Sequence, residues 1–295
     1  MVELELSDIN EDNNSLTTNF TNNDNHENEK NVNDKSNKDS GIHNANKHKL
    51  LIDLAQLNIC EILIDIPFIG KGYGTGFLCQ IPDPDNNNKF IIVLLTCYHV
   101  LKIEKKNDYN FLINGSNNNF IEIIYRTSIN ILNLNNRKIW VNKDMDYTCI
   151  EIKKQEYEIK DNMINKLDIS KDFNEKKYEG ISTEIFGIMK KKNFVNNSFE
   201  MIEYSTGKIK KIYEDKLNKN IKYILYNNCS LNGFSGGPIY NIDNNMVLGI
   251  HKGMLKKEEI RIGILMKAIV EDIKNNNNFF YFGNEKIGKE GLKVM

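Results

Sequence analysis

The segment that most restricts how this chain can fold is residues 233–238, Gly-Phe-Ser-Gly-Gly-Pro, in which Ser235 lies among three glycines. Strand-like runs flank it at residues 221–226 and 239–241. Glycine allows tight turns and lets the backbone approach a ligand closely. Acyl transfer requires such a setting, because a nucleophilic hydroxyl must stand beside backbone N–H groups that receive the developing oxyanion. Ser235 is therefore a candidate nucleophile.

The same residues match the pattern G-x-S-x-G, which forms the nucleophile elbow of α/β-hydrolases. An elbow leads into a helix, and its partners follow in the order serine, acid, histidine. Two glycines and a proline come directly after Ser235, and such a sequence does not begin a helix. The only later histidine, His251, is too close to leave room for the element that carries the acid. The elbow interpretation is therefore rejected.

Residues upstream of this serine offer the other order, which is histidine, acid, serine. His99 follows the apolar run at residues 90–95, and a strand that ends at a histidine suits a base that must be held rigidly. Asp146 directly precedes a strand-like run at residues 147–152, and Asp144 is the competing acid. The three members of a triad are thus present, in order and widely spaced.

Five segments resemble the signature blocks of trypsin-like (chymotrypsin-fold) serine peptidases. They are residues 74–77 (GTGF), 95–100 (LTCYHV), 146–150 (DYTCI), 233–238 (GFSGGP) and 247–251 (VLGIH), the last being similar to the substrate-binding strand. One block alone is weakly specific, but five in the family's order over roughly 200 residues are strongly specific. The match covers about residues 58–273. Its motifs are most similar to those of glutamyl endopeptidases and high-temperature-requirement proteases.

The resemblance implies a role for each residue of the candidate site. Ser235 would be the nucleophile, His99 the general base that takes its proton, and Asp146 the acid that orients the imidazole. The backbone amides of Gly233 and Ser235 would form the oxyanion hole. Phe234 replaces the aspartate that precedes the nucleophile in zymogen-type relatives. We therefore expect no activation by cleavage, because phenylalanine cannot form an ion pair with a new N-terminal amine.

The resemblance also bears on which peptide bonds are cut. Glutamyl endopeptidases, and viral relatives that cut after glutamine, have a histidine where this chain has His251, and a hydroxyl residue where it has Ser230. Both groups can hydrogen-bond a carboxylate or an amide carbonyl, so we expect cleavage after Glu or Gln. Cys229 replaces the aspartate that selects Lys or Arg, and we interpret it as a packed thiol rather than a nucleophile. The alternative is that His251 is merely packed in its strand, and residues 252–254 depart from these relatives.

Short alternating apolar runs predict an all-β chain. We expect two six-stranded antiparallel β-barrels of the chymotrypsin type, with the site in the cleft between them, a short C-terminal helix and a disordered N-terminal arm. The polar arm contains His48 and cannot bury enough apolar surface to offset its ordering entropy. The expected boundaries are 1–48 for the arm, 49–155 for the first barrel, 156–178 for the linker, 179–274 for the second barrel with its closing helix, and 275–295 for a polar and aromatic tail.

Charge and hydropathy limit the partners of the chain. Its net charge of −1 over 295 residues implies no general attraction to nucleic acid or to an anionic membrane. No apolar stretch approaches the length of a membrane span. The acidic start lacks the basic and apolar regions of a secretory signal. We therefore expect a cytoplasmic or other reducing intracellular compartment rather than secretion.

The five cysteines indicate the same compartment. Val100 stands where secreted relatives have the cysteine of a disulfide beside the histidine. An odd number of cysteines without metal-type spacing suggests free thiols, although pairing of Cys97 with Cys79 or Cys60 stays open. The sequence has no HExxH, no paired CxxC and no phosphate-binding glycine loop, so we expect neither a metal nor a cofactor.

Two functions from different classes remain. The favoured one is an intracellular serine endopeptidase that acts on protein or peptide substrates through an acyl-enzyme. The other is a catalytically silent member of the same fold that binds peptides or partner proteins in its cleft. Loss of a triad residue would favour the second, and none is lost. The sequence does not indicate an oligomeric state.

Overall fold

The computed structural model describes residues 47–66, 70–105, 111–113, 120–125, 128–153, 164–169, 175–189, 201–215, 221–255, 260–276 and 279–281. The expected disordered arm therefore lies outside the described residues, apart from its last two. The same holds for much of the expected linker and for most of the expected tail.

Strands dominate the described residues. They are β1 (Ile59–Ile66), β2 (Gly70–Asp83), β3 (Asn86–Thr96), β4 (Ile103–Lys105), β5 (Phe111–Ile113), β6 (Phe120–Tyr125), β7 (Ser128–Asn133), β8 (Lys138–Asn142), β9 (Tyr147–Glu151), β10 (Ser182–Met189), β11 (Met201–Glu214), β12 (Lys222–Tyr226), β13 (Pro238–Asn241), β14 (Met246–Leu255), β15 (Ile260–Leu265) and β16 (Phe279–Tyr281). The helices are α1 (residues 47–58), α2 (Tyr98–Leu101), α3 (Glu175–Tyr178) and α4 (Met266–Asn276).

The first unit is an antiparallel sheet that curls into a half-barrel, with the strand order β16-β8-β9-β3-β2-β1-β6-β7. Its buried side chains include Ile62, Phe77, Leu94 and Trp140. The all-β fold with two β units is confirmed. Within the described residues this sheet has eight strands in an open order, where the sequence led us to expect six, and one of the eight comes from the expected tail.

The second unit is a closed six-stranded antiparallel barrel with the order β10-β11-β12-β15-β14-β13, as expected from the sequence. Its interior is filled by large apolar and aromatic side chains, among them Phe186, Ile224, Tyr226 and Tyr240. The residues between the two units contact both of them. The side chain of Asn165 donates to the carbonyl of Leu78 at 3.0 Å and accepts from the Tyr240 hydroxyl at 2.6 Å.

Helix α4 closes the second barrel, as the sequence predicts. Met266, Ile269, Val270 and Ile273 are buried and recur at helical spacing. On its other side, the Asp272 carboxylate accepts hydrogen bonds from Tyr147 and Asn142 of the first sheet, at 2.5 and 2.9 Å. The helix therefore ties the second barrel to the strand that follows Asp146.

Helix α1 was not expected from the sequence, and the expected boundary between residues 48 and 49 lies inside it. Leu51 and Ala55 are one turn apart and fully buried. Lys47 donates to the carbonyl of Asp243, and His48, which we had assigned to the arm, lies 3.0 Å from the buried carboxylate of Glu184 in β10. Ile52 and Leu54 also pack against the core, so the helical spacing is present in the sequence, but it is short and directly follows a polar segment.

Candidate active site

The strongest feature of the site is the contact between His99 and Asp146. His99 lies in the short helix α2, just after β3, and 30% of its side chain is exposed. Asp146 has a φ of 62° in the turn before β9, a left-handed conformation that Asp tolerates better than most residues. One carboxylate oxygen accepts from the His99 backbone amide at 2.9 Å, and the other lies 2.9 Å from the ring Nδ1. The carboxylate therefore holds both the backbone and the ring of His99.

This contact sets the direction of the imidazole. A carboxylate beside Nδ1 keeps the proton on that nitrogen, which leaves Nε2 as the acceptor. The carbonyl of Asp146 also accepts from the Tyr98 amide at 3.1 Å, so the turn and the helix are joined at a second point. Asp144, the competing acid, is exposed in the same turn, and it makes no hydrogen bond to His99.

Ser235 lies in a turn that packs against the end of β3. Gly236 has a φ of 88°, and a Cβ on it would lie 2.1 Å from the carbonyl oxygen of Thr75 and 3.1 Å from the amide nitrogen of Cys97. Only glycine fits this close approach. The turn is thus held beside the residues that lead into α2 and His99.

The hydroxyl of Ser235 donates to the carbonyl oxygen of Lys252 at 3.4 Å. No hydrogen bond joins it to His99, and both residues are among those described. The Lys252 ammonium lies 3.8 Å from the Asp146 carboxylate, and its side chain is 14% exposed. Lys252 therefore contacts Ser235 through its backbone and Asp146 through its side chain. This ammonium also lies over the Tyr223 ring, 5.3 Å from the ring centroid.

The backbone of the serine turn leaves two amides without a partner. The Gly233 and Ser235 N–H groups have no acceptor within the described residues, and Pro238 has no amide to donate. The other three are used, since Phe234, Gly236 and Gly237 donate to the carbonyls of Leu231, His251 and Phe234 at 3.2, 2.9 and 2.9 Å. Both residues are half-buried, so their amides are open to a ligand, and a pair on either side of Phe234 is suited to bind an oxyanion.

His251 is only 2% exposed and contacts the serine turn through its backbone. Its amide donates to the Gly237 carbonyl at 2.8 Å, opposite the bond from Gly236. Burial, reinforced by the charges of Arg261 and His99, lowers the pKa of the His251 ring to about 3, so the ring is neutral at ordinary pH. Its Nδ1 is hydrogen-bonded to the hydroxyl of Tyr226.

The Tyr226 hydroxyl determines which nitrogen of His251 carries the proton. This phenol is buried, and His251 is its one hydrogen-bond partner among the described residues. Burial raises the pKa of Tyr226, so the phenol keeps its proton and donates it to Nδ1. The proton of the neutral imidazole is then on Nε2, which becomes a donor. Ser230 is half-buried four residues after Tyr226.

Phe234 is 2% exposed and is held by close packing. A Cβ on Gly187 of β10 would lie 2.4 Å from the Phe234 ring, so the ring lies directly on the backbone of that strand.

All five cysteines are described, and none forms a disulfide, which leaves Cys97 unpaired. Cys97 donates its thiol hydrogen to the His251 carbonyl at 3.3 Å. The prediction of a packed thiol at Cys229 is wrong, because Cys229 is exposed in the segment between β12 and the serine turn, where its amide donates to the Ser205 hydroxyl.

Cys97, His99 and Asp146 each offer one atom that a metal ion could bind, and these atoms lie within 4.8 Å of one another. The Lys252 ammonium beside the Asp146 carboxylate opposes a second cation there. Cys97 is fully buried, and burial raises the pKa of its thiol well above the usual value, which disfavours the thiolate that metals bind. The arrangement therefore suits proton transfer better than metal binding.

Three residues of the site have no assigned role in the sequence analysis. They are Thr75, whose hydroxyl and amide contact the serine turn, Tyr226 and the side chain of Lys252. Thr75 lies inside the block at residues 74–77, but nothing in that block indicates a contact with a residue 158 positions away.

None of the described helices has the length and apolar character needed to cross a membrane.

Comparison with known proteins gives structural matches only. No family model matches the sequence, and no curated protein matches it. The HtrA-type protease AlgW with a tripeptide aligns over 78% of this chain and 64% of its own, at 14% identity and a TM-score of 0.50. The Rv3671c protease from M. tuberculosis, active form, aligns over 83% of this chain and 89% of its own, at 11% identity and a TM-score of 0.52. The chain therefore has the fold of HtrA-type, trypsin-like serine proteases, and it spans less than two thirds of AlgW.

Proposed function

We propose that this chain is a serine endopeptidase in which Ser235 is the nucleophile, His99 the general base and Asp146 the residue that orients it. The observation that carries the proposal is that the Asp146 carboxylate contacts both the ring Nδ1 and the backbone amide of His99. The two unpaired amides of the serine turn supply the oxyanion hole.

We propose the following reaction for these donors and acceptors. The Ser235 Oγ attacks the carbonyl carbon of the scissile bond, and its proton passes to Nε2 of His99. The carbonyl oxygen becomes an oxyanion that accepts from the Gly233 and Ser235 amides. The C–N bond then breaks, Nε2 returns the proton to the leaving amine, and an acyl-enzyme remains. Water repeats the sequence, with His99 as base, and releases the acid.

We propose further that the enzyme cuts after Glu or Gln, with His251 and Ser230 binding that side chain. The Tyr226 phenol supports this, because it leaves the His251 proton on Nε2 as a donor that matches a carboxylate or amide oxygen. The low pKa of His251, about 3, means that this donor is uncharged. An uncharged imidazole lacks the positive charge by which an imidazolium would favour the Glu carboxylate over the Gln amide. We therefore expect Gln to be accepted at least as well as Glu.

The packing of Phe234 supports an enzyme that needs no activating cleavage. In this chain the serine turn is held by an apolar ring on the Gly187 backbone rather than by an ion pair with a new N-terminus. We therefore expect this chain to be active without cleavage. We place it in a reducing intracellular compartment, on the ground that all five cysteines are free. Alkylation of thiols in intact source cells would contradict this if it found disulfides.

One observation favours the second candidate, a silent peptide-binding module. The Ser235 hydroxyl donates to the Lys252 carbonyl, and no hydrogen bond joins it to His99. Rotation about the Cα–Cβ bond of Ser235 would turn the hydroxyl away from the Lys252 carbonyl, and such rotations are fast. The two candidates therefore differ in whether Ser235 reacts, which is measurable.

The decisive experiment is labelling with a fluorophosphonate, in which Ser235 Oγ forms a bond to phosphorus and fluoride leaves. We expect the full-length chain to be labelled, and Ser235→Ala to abolish labelling while the protein stays folded. Loss of the nucleophile should lower kcat by about 10⁴ to 10⁶. Ser182→Ala, at the remote start of β10, is the matched control and should label like the wild type. An unlabelled wild type, or equal labelling of Ser235→Ala, would mean that the protein is not a serine peptidase.

A further inference from the structure

Thr75 of β2 is fully buried and makes four hydrogen bonds that join three segments. Its amide donates to the Ser235 carbonyl at 3.0 Å, and its hydroxyl donates to the Gly233 carbonyl at 2.6 Å. The same hydroxyl accepts from the Ile188 amide of β10 at 3.0 Å, and the Thr75 carbonyl accepts from the Thr96 hydroxyl at 2.8 Å. One residue of the first sheet thus contacts both the second barrel and the serine turn.

These contacts account for the carbonyl groups of the serine turn. Thr75 holds the oxygens of Gly233 and Ser235, and the Phe234 oxygen accepts from the Gly237 amide at 2.9 Å. A peptide N–H points away from the carbonyl of its own peptide group. Holding these three oxygens fixes the three peptide planes that follow Gly233, and the Ser235 N–H then points away from the Phe234 oxygen of its own peptide group.

Of the four hydrogen bonds, the one from the Thr75 hydroxyl to the Gly233 carbonyl is the one whose loss would change the serine turn most. Gly233 has a φ of 100°, and glycine meets little steric resistance when the adjacent peptide rotates. Without the Thr75 hydroxyl, the half-buried Gly233 carbonyl would lose its protein partner, which favours rotation of the peptide toward another donor. The peptide between Gly233 and Phe234, which links the two proposed oxyanion donors at Gly233 and Ser235, would then lose its fixed orientation.

Strand β10 fixes the direction of the Thr75 hydroxyl. The Ile188 amide donates to Oγ1, so that lone pair is occupied and the hydroxyl hydrogen is free to point at Gly233. The peptide that links the two proposed oxyanion donors is therefore held by the contact between the two β units as well as by the turn.

We propose that Thr75 is a positioning residue that sets the oxyanion hole and makes it depend on the docking of the two β units. The inference rests on the proposed peptidase function, because an oxyanion hole has a role only if Ser235 is acylated. Thr75 does not touch the reacting atoms. Its hydroxyl acts through the Gly233 peptide, and its amide acts through the Ser235 carbonyl.

The test compares Thr75→Val, which keeps the shape and removes the hydroxyl, with Thr75→Ser, which keeps the hydroxyl. The readouts are the maximal rate of phosphonylation by the fluorophosphonate, its half-saturating concentration and the unfolding midpoint. Removing one oxyanion donor typically slows such chemistry by about 10²- to 10³-fold, and we expect Thr75→Val to approach this loss with a half-saturating concentration within about threefold of wild type. Thr75→Ser should restore most of the rate.

Thr183→Val is the matched control, because Thr183 is also a buried threonine, whose hydroxyl donates to Asn228 at 2.9 Å in the second barrel. It should lower the unfolding midpoint without slowing the labelling of the folded protein. If Thr75→Val does not fold, Thr75→Cys replaces it, since a thiol is close to serine in shape and a much weaker donor. Thr75→Cys should then label far more slowly than Thr75→Ser.

The outcomes separate this inference from the proposed function. A wild type that is not labelled at Ser235 would reject the peptidase itself. A wild type that is labelled, with Thr75→Val or Thr75→Cys labelled at the same maximal rate, would reject the role of Thr75 and leave the peptidase intact. Equal slowing by Thr183→Val would also reject it, because the loss would then follow from general destabilisation.

Discussion

At the scale of single residues, the site divides into contacts that follow from sequence order and contacts that do not. The bond between His99 and Asp146 was anticipated because each residue ends or begins a strand-like run at a recognisable place. The Thr75 contact with Gly233 spans 158 residues and the Tyr226 contact with His251 spans 25. Neither has a local signal, since a threonine or tyrosine in a strand is ordinary β sequence.

The Tyr226 phenol gives a prediction for specificity. Tyr226→Phe removes the donor that holds the His251 proton on Nε2, so both tautomers become accessible and the donor toward substrate is no longer fixed. We expect profiling with a peptide library to show cleavage after Gln or Glu in the wild type and a weaker preference in Tyr226→Phe.

Tyr240→Phe is the control for this comparison, because it removes another buried phenol, bonded to Asn165 at 2.6 Å. It should leave the preference unchanged. Wild-type cleavage after Lys, Arg or large apolar residues, or the same preference in Tyr226→Phe as in the wild type, would contradict the proposed pocket.

At the scale of elements, the sequence predicted most strands better than it predicted α1 and β16, the first and last elements of the described chain. Period-two alternation is explicit around β1, and helical spacing is explicit in α4. Helix α1 has only two fully buried apolar positions, Leu51 and Ala55, and β16 is a three-residue strand that pairs with β8. Such elements are stabilised by the surface they meet, which local sequence does not encode.

Helix α1 allows a stability prediction with a matched pair of neighbouring leucines. Leu51 is fully buried, so Leu51→Ala should lower the free energy of unfolding by about 2 to 5 kcal/mol. Leu50 is 46% exposed, and Leu50→Ala should change it by less than about 0.5 kcal/mol. Urea unfolding of the full chain measures both. Equal effects of the two substitutions would show that α1 does not pack on the core in solution.

At the scale of the whole molecule, the sequence order of the motif blocks was enough to anticipate two β units. It was not enough to give the strand number of the first, because β16 returns to it from beyond α4. The site lies where the units meet, and several buried polar groups lie there with it. His251, between the serine turn and the core of the second barrel, is the one whose titration should be visible in the stability of the entire fold.

The pKa of His251 is lowered from 6.5 to about 3, chiefly by burial, so between these values the unfolded chain binds a proton that the folded chain does not. The free energy of unfolding therefore falls as pH falls through this window, and His251 contributes at most about 1.4 kcal/mol per pH unit to that fall. Above pH 7, His251 does not change the free energy of unfolding. Other groups titrate in the same range, so the comparison is with His251→Gln, which keeps a hydrogen-bonding side chain and does not titrate. We expect urea unfolding to show the wild type losing stability relative to His251→Gln between pH 6.5 and pH 4.5, with a constant difference from pH 7 to pH 8. Parallel curves over the whole range would mean that His251 is open to solvent and protonates freely, and the neutral donor proposed for the specificity pocket would fail with it.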